Sequence, residues 1–138
     1  MTDQLYMKMN DGYKIPVVGL GTWKSEPGEA TYKAVLDSIN AGYRHIDTAR
    51  AYDNEADVGR AVQDANINRK ELFITTKLWN RHQGYDEAIE ACEKSLARLG
   101  CDYIDLYLIH WPLKGKRNDS WRALIELQKK GLCRSIGV

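Results

Sequence analysis

Four side chains that can carry charge or exchange protons stand at or just beyond the ends of apolar segments. Asp47 closes the apolar part of "YRHIDTA", Tyr52 follows five residues later, Lys77 lies near the end of "ELFITTKLW", and His110 lies near the end of "YIDLYLIHWP". Taken singly, each has a plain structural explanation, such as a solvated lysine. Gathered at one place, such groups cost desolvation energy unless they pair with each other or act on a ligand. The set therefore predicts a functional site, although position alone does not name its reaction.

The segments that position these residues alternate between two periodicities. Short runs rich in β-forming residues predict strands at residues 16–21, 43–49, 71–79, 103–112 and 133–138. Apolar residues at helical spacing predict helices between them, over residues 25–42, 54–65, 85–100 and 120–131. Ser25 and Asn54 are the expected N-caps of the first two helices, and Asp119 or Ser120 is the expected N-cap of the fourth.

Strict alternation of strands and helices predicts right-handed βαβ units and a parallel sheet. Neighbouring strands lie about 4.8 Å apart, so Lys77 is expected between Asp47 and His110 at the carboxyl ends of three consecutive strands. Two architectures place a site there: a doubly wound sheet, and a closed (β/α)8 barrel, which needs about 250 residues. The 138 residues supply only the first half of such a barrel, so both architectures stay open on this ground.

Composition narrows the class of protein. The length of 138 residues predicts one domain. The net charge of +1 gives no reason to expect nucleic acid or an anionic membrane as a partner. No apolar run approaches the roughly 18 residues that cross a bilayer, and the N-terminus lacks the pattern of a signal peptide, which indicates a cytoplasmic protein. The cysteines lack metal-binding spacing and predict reduced thiols and no metal site: Cys92, Cys101 and Cys133.

Four motifs carry a resemblance to a known family. "GLGTWKS", "GYRHIDTARAYDNEADVG", "ITTKLWN" and "DLYLIHWP" resemble, in order and spacing, the aldo-keto reductase family, with the diketo-gluconate reductase and aldose reductase group nearest. The resemblance implies an α/β fold, the (β/α)8 TIM barrel, of which this chain would hold about the first four and a half βα units. The family's usual chain is roughly twice as long as this one. Residues 1–138 would then be a single incomplete NADP-dependent oxidoreductase domain, truncated at strand five and inactive by itself.

The resemblance also implies a reaction and the residues that perform it. The family reduces aldehydes and ketones to alcohols by hydride transfer from a nicotinamide cofactor, normally NADPH. Tyr52 would donate the proton to the carbonyl oxygen, and Lys77 would stabilise the phenolate that remains. Asp47 would hold Lys77 in place and keep it charged, and His110 would donate a hydrogen bond that orients the carbonyl.

Further residues would contact the ligands by the same resemblance. The cofactor would lie along the first loop and the end of the second strand, at Gly21, Thr22, Trp23, Lys24 and Asp47. The substrate, a small-molecule carbonyl compound, would lie in an apolar pocket beside the orienting histidine, at Trp23, Trp79, Trp111 and His110. The segment "GLGTWK" is not a dinucleotide-binding G-x-G-x-x-G fingerprint, because a lysine stands where the third glycine would fall. The oligomeric state is left open.

Three other functions stay open beside carbonyl reduction. A lysine at the end of a barrel strand can form a Schiff base with a carbonyl substrate, as in a lyase. Pairing with Asp47 would oppose this role for Lys77, because a paired lysine stays charged and non-nucleophilic. The others are a non-catalytic, cofactor-sensing member of the same fold and an inert fragment.

Overall fold

Two sheets and four helices make up the computed structural model, which describes residues 4–138. The strands β1 (Tyr6–Lys8) and β2 (Lys14–Pro16) pair as an antiparallel hairpin. The second sheet has five strands, β3 (Leu20–Gly21), β4 (His45–Asp47), β5 (Phe73–Leu78), β6 (Ile104–Ile109) and β7 (Cys133–Gly137). One helix follows each of the first four of these strands: α1 (Glu29–Asn40), α2 (Glu55–Asp64), α3 (Tyr85–Leu99) and α4 (Arg117–Lys129).

The five strands have the same order in the sheet as in the chain, and every neighbouring pair is parallel. A doubly wound sheet reverses its strand order at a switch point, and among residues 4–138 no such reversal occurs. The sequential order is that of the wall of a (β/α)8 barrel. The predicted alternation of strands and helices is therefore confirmed, and the doubly wound alternative is wrong.

The hydrophobic core lies between this sheet and the four helices. Alternate residues of the central strands point towards the helices and are buried there, among them Ile74 and Leu78 of β5 and Tyr107 and Ile109 of β6. The helices contribute aliphatic residues to the same core: Val35, Ile39, Val58, Val62, Leu96, Leu99, Leu124 and Leu127. Because side chains alternate along a strand, Lys77 points to the opposite face of the sheet.

Close contacts fix the start of α2 against its neighbours. The buried carboxylate of Glu55 accepts hydrogen bonds from the Thr76 hydroxyl at 2.8 Å and from Arg98 Nε at 3.0 Å. One turn later, Gly59 allows α2 to approach α3, since a Cβ at this position would lie 2.5 Å from the Leu99 carbonyl oxygen. These contacts determine where the loop between β4 and α2 lies, and that loop contains Tyr52.

The prediction of one strand over residues 16–21 is wrong. The first part of this apolar run belongs to the hairpin, where the Val17 N–H donates to the Leu5 carbonyl at 2.9 Å. Only Leu20–Gly21 pair with β4. Val17 and Val18 are exposed, so this apolar run does not mark a buried strand, and the hairpin partner could not be recognised from the run itself.

The predicted start of α1 at Ser25 is also wrong. The helix begins at Glu29, after Gly28, whose backbone has a φ of 99°. The Gly28 N–H donates to the Asp57 carboxylate of α2 at 2.8 Å, and a contact between two helices has no signature in the local pattern. Ser25 lies in the preceding turn, where its hydroxyl accepts a hydrogen bond from Thr31 at 2.8 Å.

The fourth helix begins two residues or more before its predicted caps, Asp119 and Ser120, because α4 starts at Arg117. The Ser120 hydroxyl accepts a hydrogen bond from the Gly84 N–H at 3.0 Å, so it links α4 to the loop that precedes α3. None of the helices in the described part of the chain is long and apolar enough to cross a membrane.

Candidate active site

The ammonium group of Lys77 is the centre of the candidate site. Its Nζ lies 2.9 and 2.8 Å from the two carboxylate oxygens of Asp47, 3.0 Å from the Thr48 carbonyl oxygen and 3.2 Å from the Tyr52 hydroxyl. The Lys77 side chain is 13% exposed and that of Asp47 is 35% exposed. An ammonium group has three hydrogens, so these four acceptors occupy all of its donor capacity.

The strand register brings Asp47 and Lys77 together. Asp47 is the last residue of β4 and pairs with Thr75, while Lys77 lies two residues further along β5 and pairs with Leu108 of β6. Both charged side chains leave the sheet on the face opposite the helices, which explains why each meets the other rather than the core. The predicted convergence at the carboxyl ends of β4, β5 and β6 is present in the structure.

A turn of 3-10 helix at Arg50–Tyr52 brings the phenol over the lysine. The Tyr52 N–H donates to the Ala49 carbonyl at 3.1 Å, and Asp53 ends the turn in the left-handed conformation with a φ of 56°. An ion pair between Arg50 and Asp53 at 3.0 Å spans the turn. The phenol ring centre consequently lies 5.0 Å from Lys77 Nζ, so a positive charge stands beside the hydroxyl that could lose a proton.

His110 follows β6 and faces the same phenol. Its ring meets Tyr52 edge to face, with the centroids 5.7 Å apart, and meets Trp79 in the same manner at 5.3 Å. Burial lowers the pKa of His110 below its ordinary value of about 6.5, Lys77 lowers it further, and Asp47 opposes the shift. The ring is therefore neutral near pH 7 and can donate one hydrogen bond. Its Nδ1 is buried and has no hydrogen-bond partner within residues 4–138.

An open cleft of about 760 Å³ lies above these strand ends. Its walls are formed by three tryptophans, the reactive rings and the loop after β3: Trp23, Trp79, Trp111, Tyr52, His110, Ala51 and residues 24–27. Trp23 and Trp111 are 67% and 59% exposed, which is unusual for such large apolar side chains unless they contact a ligand or another part of a protein. The predicted substrate-pocket residues therefore border one cleft.

The predicted cofactor residues are placed less uniformly. Trp23 and Lys24 line the cleft, and Lys24 Nζ lies 4.5 Å from the centre of the Trp23 ring. Gly21 is exposed at the end of β3, where a Cβ would meet nothing within 4 Å. The Thr22 side chain is only 2% exposed, so it is unavailable to a ligand, and only its backbone could make such a contact. Both carboxylate oxygens of Asp47 accept hydrogen bonds from Lys77.

One contact of the site has no sequence signal. The Thr48 carbonyl oxygen accepts a hydrogen bond from Lys77 at 3.0 Å, and a backbone carbonyl gives no sign of such a role in the sequence. In the described part of the chain, no group of three or more His, Cys, Asp or Glu side chains is placed to hold a metal ion.

Comparison with known proteins identifies relatives of the chain. A sequence model described as the Aldo/keto reductase family matches residues 17–138. The glyoxal reductase of Bacillus subtilis is 50% identical over 132 residues, which are 96% of this chain and 48% of the relative. The methylglyoxal reductase DkgA of Escherichia coli is 46% identical over an alignment of 140 positions, which covers 100% of this chain and 50% of the relative. The chain thus spans about half the length of the curated relatives it matches.

Solved structures agree with these relatives. An aldo/keto reductase from Brucella melitensis superimposes with a TM-score of 0.94 at 47% identity, over 98% of this chain and 53% of that one. A Bombyx mori aldo-keto reductase in complex with NADP superimposes with a TM-score of 0.90 at 40% identity, over 100% of this chain and 51% of that one. The parallel sheet and its helices therefore match about half of an aldo-keto reductase (β/α)8 barrel.

Proposed function

Because the chain belongs to the aldo/keto reductase family, we propose that its protein reduces aldehydes or ketones to alcohols with NADPH and that Tyr52 donates the proton. One observation carries this proposal: the Lys77 ammonium lies within 2.9 Å of both Asp47 carboxylate oxygens and 3.2 Å from the Tyr52 hydroxyl. The relatives support the reaction class, since two of them are named as reductases of glyoxal and methylglyoxal. Residues 1–138 belong to one oxidoreductase domain.

The proposed cofactor fits the loop that follows β3. Trp23 and Lys24 line the cleft, and the space beside Gly21 is open. The aldo-keto reductase of Bombyx mori is solved in complex with NADP, and a mutant of a similar protein called Gox0644 is solved in complex with NADPH. When bound, the cofactor would supply the hydride. Gly21, Trp23 and Lys24, together with Asp47, are the residues of this chain that would contact it.

The proton comes from Tyr52. As hydride reaches the carbonyl carbon, the carbonyl oxygen becomes an alkoxide and takes the phenol hydrogen, which leaves a phenolate. Lys77 donates a hydrogen bond to that oxygen and places a positive charge beside it, so the phenolate is stabilised as it forms. Asp47 holds the ammonium in position with two short contacts.

His110 orients the substrate carbonyl. Its neutral ring can donate a hydrogen bond to the carbonyl oxygen without competing with Tyr52 as the acid. Trp79 and Tyr52 pack against the ring edge to face and limit its rotation. The small-molecule carbonyl compound occupies the cleft between Trp23, Trp79 and Trp111, whose apolar rings can pack against it.

The same contacts weigh against a Schiff-base lyase. A Schiff base requires a neutral amine with a free lone pair, whereas Lys77 Nζ lies within 2.8 to 3.2 Å of four oxygens, more than enough acceptors for its three hydrogens. Loss of its charge would leave the Asp47 carboxylate without a counterion. No observation in the described residues favours that reaction over reduction.

The experiment follows NADPH consumption by the full-length protein with a panel of aldehydes and ketones. Tyr52→Phe keeps the ring but removes the hydroxyl, so the rate should fall by roughly 10²–10⁴-fold, the usual contribution of general acid catalysis. Tyr85→Phe is the matched control, because Tyr85 is exposed at the start of α3. A Tyr52→Phe variant as active as Tyr85→Phe would refute the assignment of the proton donor.

A further inference from the structure

Asn54 occupies the N-cap position of α2 but does not cap it. Its backbone carbonyl accepts the first hydrogen bonds of the helix from Asp57 and Val58, each at 3.2 Å, while its side chain bonds to no helix N–H. The predicted capping role of this side chain is therefore wrong. Asn54 is 1% exposed, and a buried amide is costly unless its donors and acceptor are satisfied.

The side-chain amide instead bonds to two loops. Its Nδ2 donates to the carbonyl oxygens of Thr22 at 3.0 Å and Ser25 at 3.3 Å, and its Oδ1 accepts from the Thr48 hydroxyl at 2.9 Å. The Thr22 hydroxyl lies 3.2 Å from Oδ1 and 3.3 Å from the Asp47 carbonyl, and its single hydrogen can serve only one of them. Two carbonyl neighbours require donors, which fixes the orientation of the amide.

These loops contain the two halves of the proposed site. Thr22 and Ser25 enclose Trp23 and Lys24, which line the cleft, and Lys24 has a φ of 62°, a conformation that non-glycine residues adopt reluctantly. Thr48 is the residue whose carbonyl accepts a hydrogen bond from Lys77. Asn54 therefore connects the turn at residues 22–25 with the backbone that holds the lysine.

We infer that Asn54 is a positioning residue, which holds the turn at residues 22–25 in register with the Lys77 and Tyr52 pair. This inference rests on the proposed function, since the turn is expected to contact the cofactor. Without the two bonds from Nδ2, Trp23 and Lys24 would move relative to the proton donor. The consequence is weaker cofactor binding, with the proton transfer itself largely retained.

The variant Asn54→Asp separates the two sides of the amide. A carboxylate keeps the acceptor for the Thr48 hydroxyl but places an oxygen against the carbonyls of Thr22 and Ser25. Because the Asn54 side chain bonds to no helix N–H, the exchange removes no hydrogen bond from α2. Asn68→Asp is the matched control, because Asn68 precedes a 3-10 turn and uses only its acceptor, which binds the Lys70 N–H at 3.0 Å.

The first measurement is amide hydrogen exchange of the full-length protein without cofactor. The amides of Thr22 and Ser25 donate to the Asp47 and Thr22 carbonyls. In Asn54→Asp they should exchange at least about ten-fold faster, since the loss of one of the two Nδ2 bonds alone is worth about that factor. The amides of α2 and all amides of Asn68→Asp should exchange as in the wild type. If the amides of α2 exchanged faster by the same factor as those of Thr22 and Ser25, Asn54 would stabilise the fold in general. That result would overturn the inference.

The second measurement is NADPH titration with turnover at saturating cofactor. Asn54→Asp should raise the Kd for NADPH by about ten-fold and change kcat by less than about three-fold. If Asn54→Asp does not fold, Thr48→Val replaces it in this measurement. Thr48→Val introduces no charge and keeps the backbone carbonyl that binds Lys77, and it should also raise the Kd for NADPH. An unchanged Kd in the folded variants would refute the positioning role. A wild-type protein that neither binds NADPH nor reduces carbonyls would refute the proposed function instead, and the exchange data would still test Asn54.

Discussion

Replacement of Lys77 by methionine removes the charge on which the proposed proton transfer depends. Methionine keeps an unbranched stem in the space between Asp47 and His110, so the strand and its packing should be retained. The ammonium disappears, and with it the contact of 3.2 Å to the Tyr52 hydroxyl. The Asp47 carboxylate also loses its counterion and becomes an unpaired negative charge near the forming phenolate.

The expected size of the rate loss follows from the distance between Lys77 Nζ and the Tyr52 hydroxyl. Two unit charges 3.2 Å apart interact with about 5 kcal/mol at an effective dielectric constant of about 20. If the phenolate has developed half of its charge at the transition state, the lysine stabilises it by about 2.5 kcal/mol, and by about 5 kcal/mol if it has developed fully. These values correspond to losses of roughly 10²–10⁴-fold in the rate of carbonyl reduction.

The assay is single-turnover oxidation of bound NADPH by an aldehyde, which reports the chemical step rather than product release. Lys70→Met is the matched control. Lys70 is exposed in the turn before β5, at the opposite end of that strand from Lys77 and the cleft. We expect wild-type rates in the control and the stated loss in Lys77→Met. If Lys77→Met kept nearly wild-type turnover at neutral pH, the lysine would be structural and the mechanism would be wrong.

Three further predictions concern the chemistry and stability of the same fold. Treatment of the full-length protein with an aldehyde substrate and borohydride should leave no mass increase on Lys77, and a substrate-sized adduct there would indicate a Schiff-base enzyme. Gly59→Ala should lower the free energy of unfolding by about 1–3 kcal/mol, because its methyl group would meet the Leu99 carbonyl; an unchanged urea midpoint would contradict this. Burial lowers the pKa of His45, so the unfolded chain takes up its proton first, and stability should fall as the pH drops below about 6.5. His45→Gln should weaken that dependence in urea unfolding, and an identical pH profile would show that His45 does not cause it.

The sequence predicts the position of the site residues well where they follow strands that the apolar pattern of the sequence identifies. Strands β5 and β6 are mostly buried, and the ends of β4, β5 and β6 place Asp47, Lys77 and His110 at one edge of a parallel sheet. That convergence is confirmed by the register of the strands. The catalytic and cofactor roles of these residues stay predictions, because they depend on a ligand and on chemistry that geometry alone does not test.

The remaining features depend on contacts between segments that are distant in the chain. The side chain of Asn54 has the right type and position for an N-cap, yet it binds Thr22 and Thr48 because both loops leave it buried between them. The hairpin pairs Tyr6–Lys8 with Lys14–Pro16. The first predicted strand, residues 16–21, is therefore divided between this hairpin and the parallel sheet. Local propensity describes one segment at a time, so it cannot show which of two possible partners a polar group will choose.

The most direct test of the central claim is a double-mutant cycle between Tyr52 and Lys77 in the full-length protein. If Lys77 acts by stabilising the Tyr52 phenolate, then Tyr52→Phe leaves nothing for the lysine to stabilise. The double variant with Tyr52→Phe and Lys77→Met should then reduce carbonyls no more than about three-fold more slowly than the slower single variant. Losses that multiply in the double variant would mean that the two side chains act independently, which would contradict the proposed proton transfer.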